Sequence, residues 1–378
     1  MKPMKITRVE ARPLQVEFPI GVLGRTDTQS MTIVYAEVET DTGLIGYGIS
    51  AITNVEVVAT AINKVAGPLI LGDDPLANDR IWDKLYWKLC PRGQGGHGMH
   101  AIAAIDVALW DIKGKALDLP VWRLLGGARD TVPVYATFGF GFFDRDQLGD
   151  ATRHWMNEGF DKLKMTVGMN ALARRDEPRP LEDAIAEDVL RVRAVRDAAG
   201  PEVGLYIDAN CSFDPMHAIK LARRLEEFDI EFFEEPINQN DIPPMVDMRR
   251  QTTIPLACGQ NEGQAHRFRD LMVHGAVDVI QPNVVISGGY TQCAKIAGMA
   301  QAFNVTIDNG GAWPFHNMHL HAGAANGGLV ECHFMSIQTC KRVFKSVPEP
   351  ENGWLRMPEA PGIGLDPDLD AISDMEIH

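Results

Sequence analysis

Short apolar runs that end in polar or acidic residues recur from about Val132 to the last fifth of the chain. Candidate strands at 132–138, 162–167, 203–208, 230–234, 254–258, 278–281, 304–308 and 329–333 alternate with stretches of helical period. Eight such strand–helix units predict a closed parallel (β/α)8 barrel of the TIM type, an α/β fold. Three consecutive runs are evenly registered. Leu205-Tyr206-Ile207 leads into Asp208, Phe232-Phe233 into Glu234-Glu235, and Ile254-Pro255-Leu256-Ala257-Cys258 into Gly259-Gln260, at an interval of 26 residues both times. Polar groups at the C-terminal ends of successive barrel strands converge on one mouth.

The first part of the chain has another rhythm. Ile6 to Ala11 and Thr32 to Glu39 alternate as strands, and Asp41-Thr42-Gly43 reads as a hairpin turn. Phe18 to Ser30, rich in Gly and polar residues, is too long for a tight turn and reads as a mobile lid. Helical periodicity then runs from about Val55 to Gly126. It is clearest over Ala101 to Leu117, where Ile102, Ile105, Leu109, Ile112 and Leu117 share a face and Asp106, Trp110 and Asp111 read as packing contacts. The expected organisation is an α+β N-terminal capping domain over 1–127, a catalytic barrel over 128–345, and a segment over 346–378 that returns to complete the cap. Residues 169–182, with Arg174-Arg175 and Pro178-Arg179-Pro180, read as a surface insertion.

Composition narrows the function. In 378 residues, 45% are hydrophobic and 23% charged, as in an ordinary globular enzyme of more than one domain. The net charge of −15 offers no basic face to nucleic acid. Six scattered cysteines without a CxxC pair, and an N-terminus without an apolar leader, predict a reduced, cytoplasmic protein. No run approaches the roughly 20 apolar residues of a membrane span.

The chemistry concentrates at the strand ends. Lys162 and Lys164 share one face of their strand, so both are expected to point into the barrel. Buried cations are costly unless paired or used. Beside one another and a divalent metal, one of them has its pKa lowered and becomes a base; alternatively, one stays charged and binds a carboxylate. Asp208 and Glu234 read as Mg2+ ligands, since capping of the following helices does not explain their spacing. Asn210 lies on the same side as Asp208 and can touch substrate, whereas Glu235 points the other way. The third position is an amide, Gln260. Its oxygen can bind Mg2+ with one negative charge fewer, and Glu262 is the alternative ligand if the strand end is bulged.

A KxK strand end, then Asp-x-Asn, then Phe-Glu-Glu-Pro resembles the mandelate racemase/muconate lactonizing branch of the enolase superfamily. The likeness extends through Ala104 to Asp111, Leu124-Leu125-Gly126-Gly127 and Ser287-Gly288-Gly289. It implies that Mg2+ holds a small-molecule carboxylate substrate while a base removes the neighbouring α-proton, giving a stabilised enediolate. It also implies a homo-oligomer. By position, Lys164 is then the base, Lys162 lowers its pKa and touches the carboxylate, and Glu331 is a protonated acid on a carboxylate oxygen. The sixth strand carries Asn283 where relatives have Asp or Lys, and the seventh ends in Asp308-Asn309-Gly310-Gly311 where dehydratase-type relatives place His. The usual His–Asp dyad is therefore missing. Asn283, Asp308, Asn309, Trp313 and His316 become candidate substrate contacts, with Arg25 placed to pair a distal carboxylate. With one base, dehydration of a hydroxy or sugar acid is the leading expectation; racemase, epimerase or cycloisomerase activity, and a silent pseudoenzyme, are the alternatives.

Overall fold

A computed structural model describes residues 3–52, 54–168 and 181–377, so Arg174-Arg175 and Pro178-Arg179-Pro180 lie outside the described residues. Three antiparallel strands, β1 (Ile6–Pro19), β2 (Thr28–Thr40) and β3 (Ile45–Ala51), form the first sheet in that order. The expected lid is largely absent, because β1 and β2 stay paired up to Pro19 opposite Thr28. The two-residue alternation that buries Leu14, Val16 and Phe18 continues through Ile20 and Val22, which are also buried. Only residues 20–27 are left to turn the chain.

The sheet packs on the helix His97–Leu117 through glycines. A Cβ on Gly46 would stand 2.0 Å from the Ala108 carbonyl oxygen, and one on Gly48 the same distance from that of Ala104. The period of two along β3 meets the period of four along an alanine-rich helix face, so strand and helix backbones touch directly.

The second sheet curls into the barrel. Its parallel strands are β4 (Thr131–Gly139), β5 (Lys162–Thr166), β6 (Gly204–Asp208), β7 (Ile230–Glu234), β8 (Leu256–Cys258), β9 (Val279–Ile280), β10 (Thr306–Ile307) and β11 (Val330–His333). They run in the order β10-β9-β8-β7-β6-β5-β4-β11. The seam between β10 and β11 is drawn together by a bridge from Ile307 to Gly327 and by the Asn309 N–H, which donates to the Leu329 carbonyl at 2.8 Å. Tyr135, Tyr206 and Phe232 fill the interior, with the two tyrosine rings stacked at 5.5 Å and Tyr206 against Phe232 at 4.6 Å.

Cap and barrel are hydrogen-bonded together. Ser50 Oγ donates to the Val285 carbonyl and Trp82 Nε1 to that of Gly288, each at 2.7 Å. Asp106 accepts from the backbone and hydroxyl of Thr291, whose hydroxyl also accepts from Trp110 Nε1. Asp111 accepts from the N–H groups of Tyr47 and Ile363. These three residues are structural. A last strand, β12 (Trp354–Arg356), pairs antiparallel with β4. The six cysteines are buried and none is in a disulfide, and no helix among the described residues is long and apolar enough to cross a membrane.

Candidate active site

A cavity of about 450 Å3 opens at the C-terminal ends of the barrel strands. The cap roofs it with Gln29 and Ile52; Phe140, Phe142 and Met335 supply an apolar wall. Its polar lining comes from Thr137, Thr166, Asp208, Asn210, Gln260, Glu331 and His333.

Lys164 lies at the centre of β5 and is 1% exposed. Its ammonium stands 2.5 Å from Glu234 Oε2, 2.9 Å from Glu331 Oε1 and 3.9 Å from Asp208 Oδ2. It also faces the Tyr135 ring at 5.1 Å. Burial on its own lowers the Lys164 pKa, but Glu234, Glu331 and Asp208 outweigh it and hold the ammonium above the ordinary lysine range. In the protein alone the lysine is caged by anions, and among the described residues no second lysine or arginine pairs with these carboxylates.

Lys162 is that missing second cation. It opens β5 two residues lower, where its ammonium meets Asp161 at 2.8 Å and the side chain is 30% exposed. The alternation along the strand is as expected. The level is not, since residues two apart on a strand differ in height by about 6.6 Å. The residue that shares Lys164's face at the mouth is Thr166, which lines the cavity.

Glu331 also departs from expectation. It accepts from Thr137 Oγ1 at 2.6 Å and the Ala312 N–H at 2.7 Å besides Lys164. Burial raises its pKa, but Lys164, His333 and these hydrogen bonds lower it further, which favours the carboxylate form.

Asp208 and Glu234 sit side by side at the ends of β6 and β7. Burial pushes both pKa values up, and for Glu234 the neighbouring Asp208 adds to the rise. Glu234 Oε1 is buried without a hydrogen-bond partner, and so are both polar atoms of the Gln281 side chain. A Cβ on Gly310 would stand 2.8 Å from Glu234 Oε1 and from Gln281 Nε2, so glycine keeps this space open. Gln260 Nε2 donates to Asp208 Oδ2 at 3.2 Å and Glu235 Oε2 at 2.9 Å. Glu235 also accepts from Asn240 and Asn261, and burial pushes its pKa up to about 7. Glu262 is drawn away to Arg267 at 3.2 Å.

An uncompensated carboxylate oxygen beside a second carboxylate and an amide is a donor set suited to a hard divalent cation. Asp208, Glu234 and Gln260 fit Mg2+ in chemistry, with the amide turned so that its oxygen faces the ion. A half-turn of the amide makes that exchange.

The other candidates separate clearly. Asn210 lines the cavity beside Asp208, to which its N–H donates at 2.7 Å. Asn283 is spent on the barrel: its Nδ2 donates to the carbonyls of Gly310, Gly311 and Ala312, and its Oδ1 accepts from Val285 and Asn317. Asp308 pins the seam by accepting from the Leu329 N–H at 2.7 Å, and burial raises its pKa to about 6. Asn309 accepts from the Glu331 N–H at 3.1 Å and positions that residue without lining the cavity. Trp313 and His316 belong to the core, with His316 against Phe344 at 5.9 Å and burial pushing its pKa down to about 3. Arg25 pairs with Asp27 at 2.6 Å and donates to the Phe142 carbonyl at 2.9 Å, bracing the cavity rim from outside. Thr137, Thr166 and His333 were missed. Each lies two residues from a neighbouring site residue or its partner strand, so the two-residue period carried on past Lys164 and Glu331 points to Thr166 and His333.

Two sequence profiles match the chain. Residues 5–126 match the mandelate racemase/muconate lactonizing enzyme N-terminal domain, and residues 147–371 match the enolase C-terminal domain-like family. The chain is 31% identical to the arabinonate dehydratase of Saccharolobus solfataricus, over 88% of each protein. It is 29% identical to the 3,6-anhydro-alpha-L-galactonate cycloisomerase of Streptomyces coelicolor, over 98% of this chain and 99% of that one. Among solved structures, a Streptomyces coelicolor racemase with bound magnesium superposes with a TM-score of 0.88 at 27% identity, covering 98% of this chain and 100% of that one.

Proposed function

Because the chain belongs to the mandelate racemase/muconate lactonizing enzyme family of the enolase superfamily, we propose that it is a Mg2+-dependent lyase that removes water from a hydroxy or sugar acid. The observation that carries this reading is the caged cation Lys164 beneath a cavity whose polar wall holds Asp208, Gln260 and Glu331. A carbon acid next to a carboxylate is very weak, so stabilising the enediolate is the main task. In this reading Asp208, Glu234 and Gln260 hold the metal, which when bound supplies positive charge to the substrate carboxylate. Lys164 adds a second positive charge from below. Thr137 and Thr166 offer hydroxyls to the substrate, and Asn210 an amide. The apolar wall and the cap exclude water from the enediolate.

The arabinonate dehydratase favours an elimination and the cycloisomerase favours an isomerisation. Dehydration is preferred here because, among the described residues, the cavity brings no pair of basic side chains to opposite faces of a substrate, as racemisation requires. Incubation with sugar acids in D2O and Mg2+ should give a product lacking one water. Recovered substrate deuterated at the α-carbon, with no dehydrated product, would instead establish the isomerase reading.

Gln260→Glu tests the metal assignment. The added carboxylate joins Asp208 and Glu235 in a buried space, so Mg2+ affinity by calorimetry should rise by at least about tenfold. An unchanged affinity would place the metal away from residue 260.

A further inference from the structure

We propose that His333 is the proton carrier of this site, taking the α-proton of the substrate and handing it to the departing hydroxyl. The inference rests on the dehydratase reading above and names the residue which that reading leaves open. Three observations carry it. His333 lies two residues beyond Glu331 on β11, so both project to the same side of the strand, His333 one level nearer the mouth. Its ring lines the cavity and leans on Phe140 at 5.1 Å. Its Nδ1 is buried without a hydrogen-bond partner, although a buried polar group normally has one.

The other titratable groups at or beneath the cavity are otherwise engaged. Asp208 belongs to the proposed metal set, Glu331 accepts from three donors, and Lys164 is held by three carboxylates. Hydroxyls such as those of Thr137 and Thr166 are poor bases. Among the described residues that line the cavity, His333 alone offers a side chain that can be neutral and basic together. Burial, with Lys164 adding to it, pushes its pKa down to about 4, while nearby Glu331 pulls the other way and would steady the imidazolium formed during turnover.

The step balances. The C–H bond next to the carboxylate breaks, its proton goes to the imidazole, and its electron pair forms the C=C bond of the enediolate. That electron density then expels the β-hydroxyl as its C–O bond breaks. The imidazolium returns the proton to the leaving oxygen, so water departs and His333 is neutral again. The enol acid left behind ketonises. One group serves both transfers, which accounts for a site without the His–Asp dyad.

His333→Asn and His333→Phe, the second keeping an aromatic ring against Phe140, test the assignment in the Mg2+-loaded protein. Both should lower kcat at least about 100-fold, the usual range for an acid–base group, with KM changed less than about threefold. Either variant within tenfold of the wild-type kcat would overturn the proposal. A second measurement does not depend on turnover: the His333 ring-nitrogen NMR signals should move when an α-hydroxy hydroxamate, an anionic mimic of the enediolate, binds the wild-type protein with Mg2+. Unmoved signals on binding would overturn it. If the wild-type protein dehydrates no sugar acid, the dehydratase reading falls, and the hydroxamate shift still decides whether His333 faces the ligand. A protein that neither reacts nor binds the hydroxamate would overturn both.

Discussion

Lys164→Met is expected to cut α-proton exchange by about 10^3-fold or more and to destabilise the metal-free protein by roughly 3–5 kcal/mol. The two effects share one cause. The ammonium neutralises a buried group of carboxylates, Glu234 at 2.5 Å, Glu331 at 2.9 Å and Asp208 at 3.9 Å, none of which has ready access to bulk water. Methionine keeps much of the volume and removes the charge, leaving anions in low dielectric, where an unpaired charge costs far more than the pair contributes. Mg2+ should then bind the variant more tightly, because the ion takes over part of the neutralising role. Denaturation with and without Mg2+, together with calorimetry, checks this. A variant that loses Mg2+ affinity would show that Lys164 supports the ligands instead of competing for their charge.

Gly48→Ala should damage the protein as severely from the other side. The new Cβ would lie 2.0 Å from the Ala104 carbonyl oxygen and 3.0 Å from the Ala108 nitrogen. Both are backbone atoms, so no rotamer change relieves the clash and strand β3 must lift from the helix. The cost is about 3 kcal/mol or more, at the upper end of overpacking effects. Function should follow, since β3 carries Ser50, which ties the cap to Val285, and runs directly into Ile52 on the cavity roof. KM should therefore rise even under conditions where the variant stays folded. Gly298→Ala is the control: nothing lies within 4 Å of its Cβ position in the helix Gly289–Phe303, so it should be neutral or slightly stabilising. A Gly48→Ala variant as stable as the Gly298→Ala control would mean that β3 and the helix His97–Leu117 are not in direct backbone contact.

Strand ends, and not strand interiors, limited how much of the site was legible. The eight barrel strands announce themselves because an apolar run between helical stretches has few other uses. Asp208 and Glu234 stand out because their spacing repeats. The two lysines misled because strand periodicity fixes which side a residue faces but not its height in the barrel. Lys162 faces inward at the lower end and reaches Asp161, whereas Lys164 reaches the carboxylates. Asn283, Asp308 and Trp313 were drawn to the site by position alone. Their hydrogen bonds and burial went instead to closing the seam and supporting the loop 310–312, because buried polar groups take the nearest backbone partners.

The sequence by itself determined the architecture, the family and the acidic pair at the mouth, since these depend on periodicity and spacing along one strand–helix unit at a time. The tertiary structure alone decided which charges meet. It set Lys164 among three carboxylates contributed by three other strands, turned Glu331 into an acceptor, and left His333 Nδ1 without a hydrogen bond. A side chain's electrostatics is set by neighbours distant in sequence and by their depth from water, and neither can be read from the order of residues.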